Sequence, residues 1–403
     1  MNSYDIAADT LTMGGTPIDT TYGIVNMYRD EGHAKDVDHI ERAFSRLESD
    51  AARIIQKLDK AVEKGQVTLP RNEVNTLRKF LFLLAYRNDH RSRQFIDEIF
   101  DEDTHNHIKQ FQTEHGLKDT KAVWLFNIKN MLDSEHWEIG DNPKILWTDR
   151  TDYKLEQQIY QLGFFCVPQG FEFINTGSMG LFVGSPIINP VLRARMDAMF
   201  PAPQWRPEVQ GLPAQERLQA QEGVIILTRS WPLTPRLVVM LRHRAITEEQ
   251  DLLAQGRRPD TFDLLPSYYR DFPRKRAIVT YIPPLSAATQ RMMSGSRTEE
   301  DMKLLREFGE ENKLDGQSVN ARLRDTLKFE ISTLNEDQAA RVNVLSLTHC
   351  AKMVNFMNTS SLRKSLKRYA NDRMNLTTIV MDVTRFESLD SKLEAAEKQA
   401  LGT

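Results

Sequence analysis

Two arginines in this chain stand where an apolar stripe ought to continue. Phe80, Leu84, Arg87, Arg91 and Phe95 follow one another at spacings of four, three, four and four, which is the repeat of one face of an α-helix. Arg87 and Arg91 therefore extend the face that Phe80 and Leu84 bury. On an earlier helix Glu41 and Glu48 are seven residues apart, each four residues after an apolar stripe position, Val37 and Phe44. Charges turned toward one core must pair, because an unpaired buried charge is strongly destabilising. One reading is a structural Arg–Glu brace between two helices. The other is a polar site in which Arg87 and Arg91 hold an anionic group while Glu48 serves as acid, base or cation receptor. In that site Glu48 and Arg87 are catalytic candidates, and Glu41, Tyr86, Asn88 and Arg91 are substrate-contacting ones.

Other side chains could contribute. Asn175 and Ser178 lie in a turn, Ile174-Asn-Thr-Gly-Ser-Met-Gly180, directly after a strand-like run. Turn residues at strand ends often build sites, although Asn-Thr-Gly-Ser is also ordinary turn chemistry. In a late helix Asn343 falls on the stripe of Ala339, Leu347 and Cys350, and His349 follows Leu347 by two. Asn175, Ser178 and His349 join the catalytic candidates and Asn343 the substrate-binding ones. A lone histidine on such a helix is more often a satisfied core or surface residue. Cys350 adjoins His349, but successive helical side chains diverge by about 100°, so the two make no dyad.

Cations cluster in two further places. Tyr268-Tyr-Arg-Asp-Phe-Pro-Arg-Lys-Arg276 interleaves aromatics with Arg274, Lys275 and Arg276, among others. Ser361-Leu-Arg-Lys-Ser-Leu-Lys-Arg-Tyr369 reads as an amphipathic helix with Arg363, Lys364, Lys367 and Arg368 on its polar face. Arg242 and Arg244 end a strand. Such stretches suit a phosphate backbone and unstacked bases; the bland alternative is a solvated surface.

Missing motifs narrow the chemistry. The sequence has no G-x-x-x-x-G-K-[ST] loop, no G-x-G-x-x-G after a strand, no H-E-x-x-H and no C-x-x-C. Thr176-Gly-Ser-Met-Gly180 misses the G-x-S-x-G elbow by its first residue. Nucleotide hydrolysis, simple zinc catalysis and serine hydrolysis lose ground, and neither a metal nor a cofactor is expected.

The elements that must position these residues form an α+β pattern. A helical layer over 36–135 follows an N-terminal extension, 1–35, with a short strand at Tyr22–Tyr28. Asp36 or Asp38 is expected to cap the first helix, and Pro70 and Asn72 to open the second. A mostly antiparallel central sheet is expected in 136–296, from short apolar runs at 164–167, 171–174, 181–183, 224–227, 237–241 and 278–282. C-terminal helices fill 297–403, at about 298–313, 336–357, 359–370 and 385–399. Helices, then strands, then helices argue for α+β rather than a doubly wound fold, and the four regions for one compact unit.

The 403 residues, 40% of them hydrophobic and 27% charged, suffice for a sizeable core, and the net charge of −3 is uninformative about partners. Two distant cysteines point to a reducing compartment. The N-terminus does not read as a signal peptide, and no apolar run reaches the roughly 20 residues of a membrane helix. The expected location is cytoplasmic, with no membrane partner.

Several stretches, taken together, carry a resemblance. They are His39–Glu48, Leu77–Asn88, the turn around Asn175, Arg229-Ser-Trp-Pro-Leu-Thr-Pro-Arg236, and Leu334–Asn343 onward to Ser361–Leu366. The set resembles a family of unknown-function domains of bacteria and filamentous fungi, over roughly residues 20 to 370. Many members open with a His-Tyr-x-Pro-like segment that this chain lacks. The fungal branch is similar to the arginine-containing cyclodipeptide synthases, which condense arginine with a second amino acid from aminoacyl-tRNAs and release a diketopiperazine. The resemblance implies arginyl-tRNA and a second charged tRNA as partners. The basic residues named above, Arg274 to Arg276 and the 363–368 face, are then the tRNA-binding candidates. A non-catalytic nucleic-acid-binding or defence-type protein, and a hydrolase of a small activated ester, are the competing readings.

Overall fold

A computed structural model of the chain describes residues 1–14, 27–30, 36–87, 89–176, 181–186, 224–243, 269, 271–273, 277–281, 325–350, 352–372 and 384–400. The expected strand at Tyr22–Tyr28 and helix at 298–313 lie largely or wholly outside these residues.

The fold is α+β. Among the described residues, the N-terminal half supplies six α-helices: α1 (His39–Ala61), α2 (Arg71–Tyr86), α3 (Asp89–Ile96), α4 (Glu102–Glu114), α5 (Thr120–Asp133) and α6 (Trp147–Ile159). Before them come β1 (Asn2–Asp5) and β2 (Thr10–Thr12), and between α1 and α2 comes β3 (Gln66–Pro70). The strands β4 (Tyr160–Cys166), β5 (Leu181–Pro186), β6 (Val224–Thr234), β7 (Leu237–His243), β8 (Ile278–Tyr281) and β9 (Thr326–Thr333) follow. The chain closes with α7 (Glu336–His349), β10 (Met353–Phe356), α8 (Thr359–Asn371) and α9 (Glu387–Ala400).

Seven strands form one sheet in the order β3-β9-β4-β7-β6-β5, with β8 also paired to β9; three form another, β10-β1-β2. Among the described strands every pairing is antiparallel except β4 with β9. The large sheet is apolar on both faces because strand side chains alternate sides. Leu162, Phe164, Leu237, Val239 and Leu241 pack with Leu58, Leu77 and Leu81 of α1 and α2. Their neighbours Phe165, Val238 and Met240 pack with Val342 and Leu345 of α7 and with Leu366 of α8. Helices therefore cover both sides, which explains why Leu237–Leu241 reads as one unbroken apolar run.

Four local expectations differ. Asp38 makes no side-chain cap for α1; instead Asp36 Oδ1 accepts the Asp38 N–H at 3.2 Å. The helix expected over 336–357 stops at His349, and Met353–Phe356 pairs with β1. Phe171–Ile174 is buried but joins no ladder. Its backbone N–H groups go to the Ser361 hydroxyl, the Pro235 carbonyl and the Asn343 side chain (3.0, 2.8 and 3.1 Å). Finally, α2 ends at Tyr86, so the arginine stripe crosses a helix break. That break redirects the candidate site.

Candidate functional site

Arg87 caps the C-terminus of α2, its N–H bonded to Leu83 O at 2.9 Å. Its guanidinium meets Glu48 at 2.5 Å and lies 5.0 Å from the Phe44 ring. Arg91 belongs to α3 and turns elsewhere, to Asp149 at 2.8 Å, resting over the rings of Tyr86 and Phe95. Glu41 is exposed. The four charges do not form one cluster: Glu48 and Arg87 pair, Arg91 finds a carboxylate on α6, and Glu41 faces solvent. Asn88 lies outside the described residues.

The carboxylates missing from the sequence reading sit on α6. Asp149, Tyr153 and Glu156 recur at spacings of four and three, one helical face turned inward. Asp149 Oδ2 accepts from the Tyr86 hydroxyl at 3.0 Å and from Asn127 Nδ2 at 2.5 Å. Asn127 in turn accepts the Leu146 N–H at 2.8 Å, which fixes the start of the helix. Burial pushes the Asp149 carboxyl up from its ordinary value, opposed by Arg91, and pushes the Tyr86 phenol well up. Tyr86 is thus a hydrogen-bond donor inside a brace, with 6% of its surface exposed, and is not open to a substrate.

Glu156, 1% exposed, binds Arg229 Nη1 through Oε2 at 2.6 Å. Its Oε1 has no hydrogen-bond partner among the described residues. Burial raises its carboxyl, with Arg229 and Arg78 pulling the other way. Arg78 satisfies the last-turn acceptors of α6, Glu156 O at 3.3 Å and Tyr160 O at 2.9 Å, so a cation stabilises the negative end of the helix. Lys79 does the same for α5, donating to Leu132 O and Ser134 O at 2.9 and 2.8 Å.

Next to this network is a cavity of about 280 Å³, between α1, α2 and the segment after α5. Arg46 and Asp50 from α1, Asn75 and Lys79 from α2, and Glu135 and His136 from the segment line it. His136 Nδ1 and the Tyr153 hydroxyl are 2.5 Å apart, and Tyr153 is held edge-on by Phe82 at 4.9 Å. Burial lowers the imidazole from 6.5 to about 4, with Arg78, Lys79 and Arg71 adding to the effect. It is therefore neutral at pH 7. Its Nε2 has no partner among the described residues. A neutral imidazole with one nitrogen fixed and the other beside a polar cavity can accept or relay a proton.

The remaining candidates are elsewhere. Asn343 is fully buried and committed to Ile174 N, Glu172 O and the Ser365 hydroxyl at 3.1, 2.8 and 2.9 Å. It stitches a strandless segment to α7 and has no capacity left for a substrate. Asn175 exchanges backbone bonds with Asn355 at 3.0 and 2.7 Å. His349, at the end of α7, bonds Leu345 O at 3.0 Å, and burial lowers its imidazole. Ile174, Val342 and Leu345 pack on the sheet face opposite α1 and α2. Asn175, Asn343 and His349 therefore cannot join Glu48 and Arg87 in one site, because the sheet separates them. Ser178 and Arg274 to Arg276 lie outside the described residues.

The cationic face of α8 is largely neutralised. Lys364 pairs with Glu336 at 2.7 Å and Arg368 with Asp337 at 2.7 Å, both acids from α7. Arg363 meets Asp390 and Glu397 of α9 at 3.0 and 2.7 Å. Lys367 is exposed and has no ion pair among the described residues. Arg242 is buried, bound to Pro273 O and Tyr269 O at 2.9 and 3.0 Å. Three of the four cations of the expected tRNA-binding face thus have carboxylate partners on α7 or α9 while staying partly exposed.

Among the described residues no group of His, Cys, Asp and Glu is arranged to hold a metal ion, and no helix is long and apolar enough to cross a membrane. Residues 1–163 match the family model described as Protein of unknown function (DUF4238). The match supports the resemblance to an unknown-function domain family, and it contains Asp149, Glu156 and every residue named as lining the cavity. No curated protein and no solved structure matches the chain.

Proposed function

We propose that this chain forms amide bonds from aminoacyl esters, with the cavity beside His136 as the place of reaction and charged tRNAs as the donors. The observation that carries the reading is the His136 imidazole, tied through Nδ1 to Tyr153 at 2.5 Å and lining a polar cavity. An attacking α-amine must lose a proton as its nitrogen bonds the ester carbonyl carbon. In the tautomer that donates Nδ1–H to Tyr153, Nε2 takes that proton. As the carbon–oxygen bond to the ribose breaks, the proton passes to the departing oxygen. A second aminolysis of the same kind closes a diketopiperazine ring. The Glu135 carboxylate at the cavity suits a cationic side chain, in keeping with the arginine that the family resemblance implies, whereas Asp50 and Asp133 beside it already pair with Arg53 and Lys129. Glu41 and Glu48 are not among the residues that line this cavity; Glu48 pairs with Arg87 and Glu41 is exposed.

The test is a purified reaction with arginyl-tRNA and a second charged tRNA, followed by mass spectrometry for cyclic dipeptides. An arginine-containing product is expected, lost when the tRNA is first digested with ribonuclease. His136→Gln should lower its rate by roughly 10²–10⁴-fold, the usual scale of a general base. Product from free amino acids and ATP alone would overturn the reading. Deacylation of the tRNA without a cyclic product would make the same imidazole the base of an ester hydrolase.

A further inference from the structure

Helix α1 carries its charges very unevenly. Ile40, Phe44, Ala51, Ile54, Leu58 and Ala61 are buried. On the opposite side run Arg42, Arg46, Arg53, Lys57, Lys60 and Lys64, spaced four, seven, four, three and four apart. At about 100° per residue these six fall within a sector of roughly 60°, and at 1.5 Å per residue they extend about 33 Å. The last of them, Lys64, ends the short 3₁₀ turn that continues the helix. Asp50 is the acid nearest that ridge. Arg42 is paired with Asp36, Arg53 with Asp50, and Lys57 with Glu73. Arg46, Lys60 and Lys64 have no ion pair among the described residues.

Arg53, Lys57, Lys60 and Lys64 also line a groove of about 470 Å³, closed on its other side by β3 through Gln66 and Thr68. We propose that this ridge and groove are the docking surface for RNA, placing the phosphate backbone along the exposed side of α1. A regular row of cations spanning this length fits a polyanion better than a single anion. The groove adds amide and hydroxyl groups from Gln56, Gln66 and Thr68, which suit phosphate oxygens and ribose hydroxyls. Ala61 and Val67 in its wall are only 8% and 6% exposed, so the apolar area of the groove comes mainly from the carbon stems of its long polar side chains, and no large apolar side chain there offers an anchor for insertion into lipid. Arg46 lies on the ridge and also lines the His136 cavity. RNA following the ridge therefore reaches the cavity within about 21 Å of Lys60, fourteen residues along the helix. Where the 3′ end goes rests on the amide-forming reading of the cavity; the docking surface itself does not.

The probe is unfractionated, uncharged tRNA, with binding followed by fluorescence anisotropy between 50 and 300 mM KCl. Wild type should bind with a strongly negative log–log salt slope, and Lys60→Glu/Lys64→Glu should weaken binding at least tenfold. Removing two phosphate contacts should make that slope shallower by about two. Lys60→Gln/Lys64→Gln should lose less, and both variants should melt with wild type because both side chains are exposed. Lys364→Glu on α8 should leave binding unchanged. Equal losses in the α1 and α8 variants, an unaltered slope, or binding to anionic vesicles but not to tRNA would each overturn the proposal. Binding is scored without reference to product, so this surface and the His136 reaction can fail independently.

Discussion

The two faces of the large sheet handle charge in opposite ways. On one, α6 buries Asp149 and Glu156 almost completely and answers them with Arg91 and Arg229. On the other, α7, α8 and α9 exchange Lys364–Glu336, Arg368–Asp337 and Arg363–Asp390 pairs whose side chains stay partly in water. Distances are similar in both places, from 2.6 to 3.0 Å. Solvent makes the difference. A buried charge has lost its hydration and depends on its partner, whereas an exposed one is stabilised by water whether or not the partner is present. Similar geometry therefore means a committed network in the first region and an adjustable contact in the second.

The sharpest way to break this comparison is Glu156→Ala. It leaves Arg229 and Arg78 without their buried counter-ion, and a loss of about 3–5 kcal/mol in urea unfolding is expected. Replacing both partners, as Glu156→Leu/Arg229→Met, should recover part of that loss, since it removes the unpaired Arg229 charge and leaves only Arg78, still bonded to the Tyr160 carbonyl, without the carboxylate. A single variant that unfolds like wild type would put Glu156 in the same class as the α8 contacts.

A smaller effect is expected from pH. The folded His136 is held near 4, below its ordinary 6.5. Between those values the unfolded chain binds a proton that the folded chain refuses. This contribution is full above pH 6.5 and is lost as pH falls toward 4. For a shift of this size the loss is at most about 3 kcal/mol, at 1.36 kcal/mol per unit. Asp149 and Glu156, raised by burial, act with the opposite sign. The difference between wild type and His136→Gln, measured at pH 7 and pH 5, isolates the imidazole. Identical pH dependence in the two proteins would remove His136 from the buried network.

The smallest effect belongs to the exposed region. Lys364→Ala should change stability by less than about 0.5 kcal/mol, with salt erasing what remains. A change above about 2 kcal/mol, seen by thermal or urea unfolding, would mean that α8 is braced by its charges and not by Leu362, Leu366 and Tyr369.

The sequence by itself determined which side chains are turned inward along each helix and strand. The stripe of α1, the apolar segment of α2 and the runs that became β4, β6 and β7 were legible because burial follows local periodicity. It also carried, unread, the α6 signal: Asp149, Tyr153 and Glu156 share a face by the same spacing rule that singled out Arg87 and Arg91. The segment around them was assigned to the sheet. Tertiary structure alone decided who meets whom. A break after Tyr86 sent Arg91 to Asp149 and left Arg87 with Glu48. The large sheet came between Asn343 and the residues it was grouped with. On α8, Lys364 and Arg368 met Glu336 and Asp337 and Arg363 met Asp390 and Glu397, while Lys367 stayed exposed. A helix prints its own charge in its sequence, but the counter-charge arrives on another element, and packing alone fixes which one.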